Sequence, residues 1–109
     1  MQEDGLEGSE MKTSELQGAA LDYAVAKCEY PGAEHLITRQ NPFQYSTDWS
    51  QGGPIIEREK IELHPAGDKW SSDIDHYFQH YGPTPLIAAM RCYVQSKLGD
   101  EFNIPEKLK

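Results

Sequence analysis

Basic charge is what this chain has least of. Ten lysines and arginines face 18 aspartates and glutamates, giving a net charge of −8, and only Arg39, Arg58 and Arg91 are arginines. Without a basic run the chain lacks the charge that neutralises backbone phosphates, so no long nucleic acid is expected as a partner. A small anion stays open, because one or two arginines and a few backbone N–H groups can hold it locally. Long apolar runs are also missing. None approaches the roughly 20 residues that cross a bilayer, and the start has no basic-then-apolar signal pattern, so no membrane is expected as a partner and the expected compartment is the cytoplasm. Cysteine is limited to Cys28 and Cys92, both in helical patterns, which fits reduced, buried thiols better than a disulfide or metal knuckle. There is no G-x-S-x-G, no P-loop and no H-E-x-x-H, so neither catalytic residues nor a cofactor are expected.

At 109 residues the chain has room for one modest domain, whose limited core oligomerisation would help. Residues 1–10, with Glu3, Asp4, Glu7 and Glu10, read as a disordered acidic extension before a second possible start at Met11. The remainder, residues 11–109, carries net −4 and is expected to be the single domain. Ala20, Leu21, Ala24, Val25 and Cys28 recur at helical spacing, with capping oxygens available at Thr13, Ser14 and Gln17, and Tyr30-Pro31-Gly32 ends that helix. A long irregular segment follows, with one short strand expected near Leu36 to Arg39. Ile61-Glu62-Leu63 alternates as a strand, His64 to Asp68 form a turn, and Trp70, Ser72 and Ile74 share one face of a second strand, so an antiparallel hairpin is expected. Thr84 suits an N-cap, Pro85 N1 and Gly99 C′ of a final helix. Along that helix Ala88, Cys92 and Ser96 form a stripe of small residues, which invites close approach by a second helix or by the same helix of a partner subunit. A homo-oligomer is the expectation.

Thr47-Asp48-Trp49-Ser50-Gln51-Gly52-Gly53-Pro54-Ile55-Ile56-Glu57-Arg58 sets an indole, a carboxylate, two permissive glycines and a guanidinium within one run. It reads either as a recognition loop or as a glycine turn into a short helix opened by Pro54, with Trp49 an ordinary core aromatic. The Ser-Thr-Asp-Trp, Gly-Gly-Pro and Ile-Glu-Arg elements resemble the NinX family of small proteins of lambdoid phages and prophages. Leu21-Asp22-Tyr23-Ala24-Val25-Ala26-Lys27 is similar to that family's first helix, and Tyr81-Gly82-Pro83-Thr84-Pro85-Leu86-Ile87-Ala88-Ala89-Met90-Arg91 with Gly99-Asp100-Glu101 to its last. The resemblance runs from about Met11 to Glu106. It implies a phage accessory protein made in the bacterial cytoplasm, a probable fold and no assigned reaction.

Arg91 falls on the border of the last helix's apolar stripe, so its stem can pack while its guanidinium emerges beside the core; an ion pair with Glu57 or Asp48 is the plain structural use of it. Guanidinium planes stack on aromatics and clamp phosphate, and Tyr45, Trp49 and Tyr81 are available for stacking. The expected ligand site therefore comprises Tyr45, Thr47, Asp48, Trp49, Gln51, Gly52, Gly53, Arg58, Tyr81, Thr84 and Arg91, and the expected oligomer face Ala88, Cys92 and Ser96. His76 and His80 have helical ligand spacing but sit in a strand-and-loop context, and no metal is expected. Glu57, Glu59 and Glu62 read as a solvated face. The fold expected is α+β, two main helices packed on a short antiparallel sheet with a long recognition loop. The function expected is non-enzymatic: a homo-oligomeric binder that sequesters a small nucleotide-like metabolite of the host, such as a defence signal. The rivals are an acidic inhibitor of a host protein and, below it, a small nuclease or phosphodiesterase without a recognised motif.

Overall fold

The final helix shows how local chemistry sets the elements. The structure, a computed structural model describing residues 9–32 and 43–104, has this helix, α3, at Pro85–Leu98. The Thr84 hydroxyl accepts from the Ile87 N–H at 3.1 Å, Pro85 occupies the first turn where no N–H is needed, and Gly99 ends the helix at φ 91°. The first helix, α1, runs Gly18–Glu29 and stops at Tyr30, as expected, but none of the anticipated side-chain caps is used: Gln17 is the N-cap without a side-chain bond. Every residue of α1 from Ala20 to Ala26 is buried.

The chain is α+β, with a third helix that sequence reading left mainly as loop. This helix, α2, spans Trp49–Glu59 with both glycines and Pro54 inside it. Asp48 caps it, its Oδ1 accepting from the Ser50 N–H at 2.9 Å and from the Ser50 hydroxyl at 2.6 Å. The anticipated recognition loop is thus corrected to a helix. The cap supplies a start that Gly-Gly-Pro by itself would discourage, and packing against α3 supplies the rest. The strand expected near Leu36 to Arg39 lies outside the described residues.

Strands β2 (Ile61–Ala66), β3 (Lys69–Ile74) and β4 (Tyr77–Gly82) form an antiparallel sheet in that order. The expected hairpin is present, its turn tightened to Gly67-Asp68 with Gly67 at φ 68°, so that His64, Pro65 and Ala66 belong to β2. The second turn, Asp75-His76, holds both residues at positive φ, 52° and 70°, as primed hairpin turns require. β4 was not anticipated. A register shift between Ser72 and Ile74 places an extra residue in it, and Phe78 stands at φ 62°. This bulge re-aims the remainder of the strand: His80 pairs with Ser72 and is buried, while Tyr81 pairs with Ser71 and is exposed.

A second, two-stranded sheet joins β1 (Ser9–Lys12) to β5 (Glu101–Ile104), with Ser9 opposite Ile104 and Lys12 opposite Glu101. The domain therefore reaches two residues into the stretch expected to lie outside it; residues 1–8 lie outside the described residues. A single 3₁₀ turn, Thr13–Glu15, links β1 towards α1, and the Thr13 hydroxyl donates to the Gly99 carbonyl at 2.6 Å. The core gathers Leu16, Leu21, Val25, Ile55, Met90, Val94 and Ile104 between the helices and both sheets. Ala88 and Cys92 are fully buried, and the Ser72 hydroxyl donates to the Ala88 carbonyl at 2.6 Å. The stripe of small residues admits β3 of the same chain, not a partner helix, which corrects the expected oligomer face. Ser96, at its end, is half-buried and donates to the Tyr93 carbonyl.

Candidate functional site

The expected ligand residues do not form one site. They divide between two grooves and a set of structural roles. Asp48 and Thr84 are helix caps. Gly52 is buried where α2 crosses Leu86 and the Tyr45 carbonyl, while a Cβ added at Gly53 would have, among the described residues, only the Trp49 ring near it, at 3.9 Å. Trp49, at 52% exposure, stands on the surface of α2 and is not a core aromatic. Thr47 is exposed in the preceding turn.

One groove, of about 360 Å³, is lined by Tyr30, Phe43, Tyr45, Gln51, Pro54 and Arg58 among others. Phe43 and Tyr45 stack at 5.7 Å, and Tyr30 leans on Phe43 at 5.8 Å. Burial pushes the Tyr45 phenol up to about 12. Arg58, the guanidinium expected to hold a ligand here, is committed within the chain. Its Nη1 and Nη2 donate to Glu29 Oε1 and Oε2 at 3.2 and 2.7 Å, Nη2 also reaches the Tyr93 hydroxyl at 3.1 Å, and Nε donates to Glu59 at 2.8 Å. The group lies over the Tyr93 ring, 5.6 Å from its centre. This bidentate clamp ties the ends of α1 and α2 to α3, and the Arg58 hydrogen bonds hold the Glu29 carboxyl below its usual range.

The other groove, about 490 Å³, is lined by Ser14, Lys69, His80, Tyr81, Pro83 and Arg91 among others. Arg91 has the disposition its helical position implied, stem packed and head at the margin, but its partners differ. It pairs with neither Glu57 nor Asp48. Its Nε donates to the Leu16 carbonyl at 2.8 Å and Nη1 to the Tyr81 carbonyl at 2.7 Å. No carboxylate neutralises it among the described residues, and burial alone lowers its pKa. A guanidinium fixed by two neutral acceptors keeps its charge uncompensated and available to an anion.

The neighbours suit that use. Lys69 places Nζ 5.9 Å from the centre of the Tyr81 ring, and Tyr81 as a whole is 48% exposed. His80 bonds the Gln95 side chain; burial lowers its pKa, opposed by the Gln95 bond and reinforced by the Arg91 charge. Among the described residues Asp68 is the one acidic residue on the groove's lining. A second recess shares Ser14 and His80 and adds Lys12, Asp100 and Glu101. Sequence reading found Tyr81 and Arg91 and missed Lys69, His80 and Ser14. The alternation of β3 could have placed Lys69 on the outer face, but His80 and Ser14 arrive through the β4 bulge and the β1 link, which carry no local signal. No helix of the described residues is long and apolar enough to cross a membrane.

Residues 12–97 match the family model described as Bacteriophage P22, NinX. No curated protein matches the chain.

Proposed function

The chain belongs to the phage P22 NinX family, and on that premise we propose that it is a non-enzymatic accessory protein that binds and sequesters a small anionic, nucleotide-like metabolite of the host. The observation that carries this reading is Arg91, a half-buried guanidinium without a carboxylate partner among the described residues, at the wall of an open groove. In the bound state Arg91 and Lys69 would meet the anionic groups, while the exposed Tyr81 would stack on a base or other flat ring. His80, whose pKa burial lowers, lines the same groove. Trp49 is no part of this groove.

Calorimetric titration of mono-, di- and cyclic nucleotides into the wild type, Lys69→Gln and Tyr81→Ala tests the reading. Lys69 and Tyr81 are exposed, so these variants keep the fold better than one at Arg91, which also ties β4 to α3. Base stacking contributes about 1–3 kcal/mol and a charge-assisted hydrogen bond about 1.5–3 kcal/mol. Each variant is therefore expected to bind about tenfold or more weakly, at about 1.4 kcal/mol per tenfold. Unchanged affinity in both variants would move the site elsewhere. Failure of folded wild type to bind any of these nucleotides would put the acidic, protein-directed inhibitor ahead.

A further inference from the structure

On the face of the three-stranded sheet turned away from Ser72 and α3, the register sets two carboxylates against each other: Glu62 of β2 lies directly opposite Asp73 of β3. Like charges opposed across strands are destabilising, and Asp73 is only 8% exposed, which adds a desolvation cost. His64, two residues along β2 and so on the same face, brings Nε2 to 3.3 Å from Asp73 Oδ1 and 3.5 Å from Glu62 Oε1. All three donor atoms lie within 4.8 Å of one another. An ion bound tetrahedrally with bonds of about 2.0–2.2 Å needs donor-to-donor separations of roughly 3.3–3.6 Å. Both His64 separations meet that requirement.

The buried carboxylate is also held from behind. Asp73 Oδ2 accepts from the His76 backbone N–H at 2.9 Å and has His76 Nδ1 at 3.9 Å. The left-handed Asp75-His76 turn is what folds that N–H back onto the strand. Outer support of this kind fixes a ligating carboxylate and leaves its other oxygen, here Oδ1, directed at the metal.

We propose that Glu62, His64 and Asp73 form a binding site for one divalent transition-metal ion, with zinc the best match. One imidazole and two carboxylates suit zinc and its borderline neighbours, whereas magnesium prefers an all-oxygen octahedron. Three protein donors leave a fourth position open to water or a ligand, since Glu62 and His64 face solvent. None of the three residues lines the Arg91 groove, so the site stands or falls separately from the nucleotide reading. The competing account is a His64 that pairs with the two carboxylates as a surface cluster and takes up no metal.

Titrating zinc chloride into the metal-free full chain at neutral pH distinguishes the two. Saturable binding of one ion per chain is expected, together with a rise in melting temperature on adding zinc and no displacement by excess magnesium. His64→Ala and Glu62→Gln, both at exposed positions, should keep the native circular dichroism while binding zinc at least about tenfold more weakly, the lower end of what loss of even an outer-shell partner costs. His76→Ala retains the backbone N–H that orients Asp73 and is expected to change affinity less than His64→Ala. Absence of saturable binding to the folded wild type overturns the proposal, and so does zinc affinity unaltered by His64→Ala.

Discussion

Gly52 and Gly53 are consecutive in α2, yet a methyl group added to each is expected to act with opposite sign. A Cβ on Gly52 would stand 2.6 Å from the Tyr45 carbonyl oxygen and 2.6 Å from Leu86 Cδ1. The leucine can turn its end away, but the carbonyl cannot move freely, because its turn is anchored by the Ser46 N–H donating to Asp22 Oδ1 at 2.8 Å. Among the described residues a Cβ on Gly53 meets only Trp49 Cε3, at 3.9 Å, an ordinary contact. Neither glycine has positive φ, so alanine gains about 0.8–1 kcal/mol of helix propensity at both positions. At Gly53 little opposes that gain. At Gly52 overpacking costs about 1–3 kcal/mol, and pushing the Tyr45 turn outward also loosens the Ser46 bond, for a net loss of about 1–2 kcal/mol. Each kcal/mol moves the melting temperature of a domain near this size by about 4–8 °C. Urea unfolding followed by far-ultraviolet circular dichroism reads this without depending on Trp49 fluorescence beside the mutated positions. Gly53→Ala should raise the midpoint and Gly52→Ala lower it. Equal stabilisation by both would refute the close crossing of α2 over Leu86, and destabilisation by Gly53→Ala would show that Gly53 answers a need outside helix packing. The same pair tests the loop-to-helix correction: in a recognition loop both substitutions would weaken ligand binding, whereas here Gly53→Ala should leave it unchanged.

The parts of the fold legible in the sequence are those whose causes are local. Thr84, Pro85 and Gly99 each act on backbone groups within a turn of themselves, and α3 begins and ends where they stand. Helix α2 was obscured because its Gly-Gly-Pro run carries low propensity, while the close packing that repays it, Gly52 against Leu86, joins residues distant in the chain. β1 and β5 pair across about ninety residues and leave no periodic trace. In β4 the bulge at Phe78 interrupts the alternation by which a strand is recognised. The small stripe on α3 signalled a close approach correctly and its partner wrongly, since the sequence cannot distinguish a sheet from a second helix. Arg91 divides in the same way: its helical position placed the guanidinium at the core's margin, but its acceptors are main-chain carbonyls, which every residue has and none advertises. Glu62 reads as part of a strand but His64 reads as the start of a turn, and only the extended β2 and the β2–β3 register bring both to Asp73.

Two further expectations concern stability. Removing residues 1–10 takes Ser9 and Glu10 from β1, and with them two of its four pairs with β5, so this deletion should lower the urea midpoint more than deletion of residues 1–8; equal midpoints would show that the small sheet contributes nothing. His80 gives a pH dependence whose sign is fixed by its burial. Its folded-state pKa is depressed from the ordinary 6.5, so below 6.5 the unfolded chain binds more protons than the folded one, and stability falls as the solution is acidified. The contribution is complete above the unfolded value and is lost as pH drops through the folded one. Other groups contribute in both directions: the Asp22 carboxyl is raised by burial, and Glu29 is lowered by Arg58. The comparison that isolates His80 is therefore wild type against His80→Gln, which retains a polar group towards Gln95 without a titrating ring. Chemical denaturation between about pH 8 and pH 5 should show the wild type losing more stability than the variant. Parallel curves would mean that the folded protein accommodates the imidazolium as readily as water does, and burial of His80 would then contribute no pH dependence.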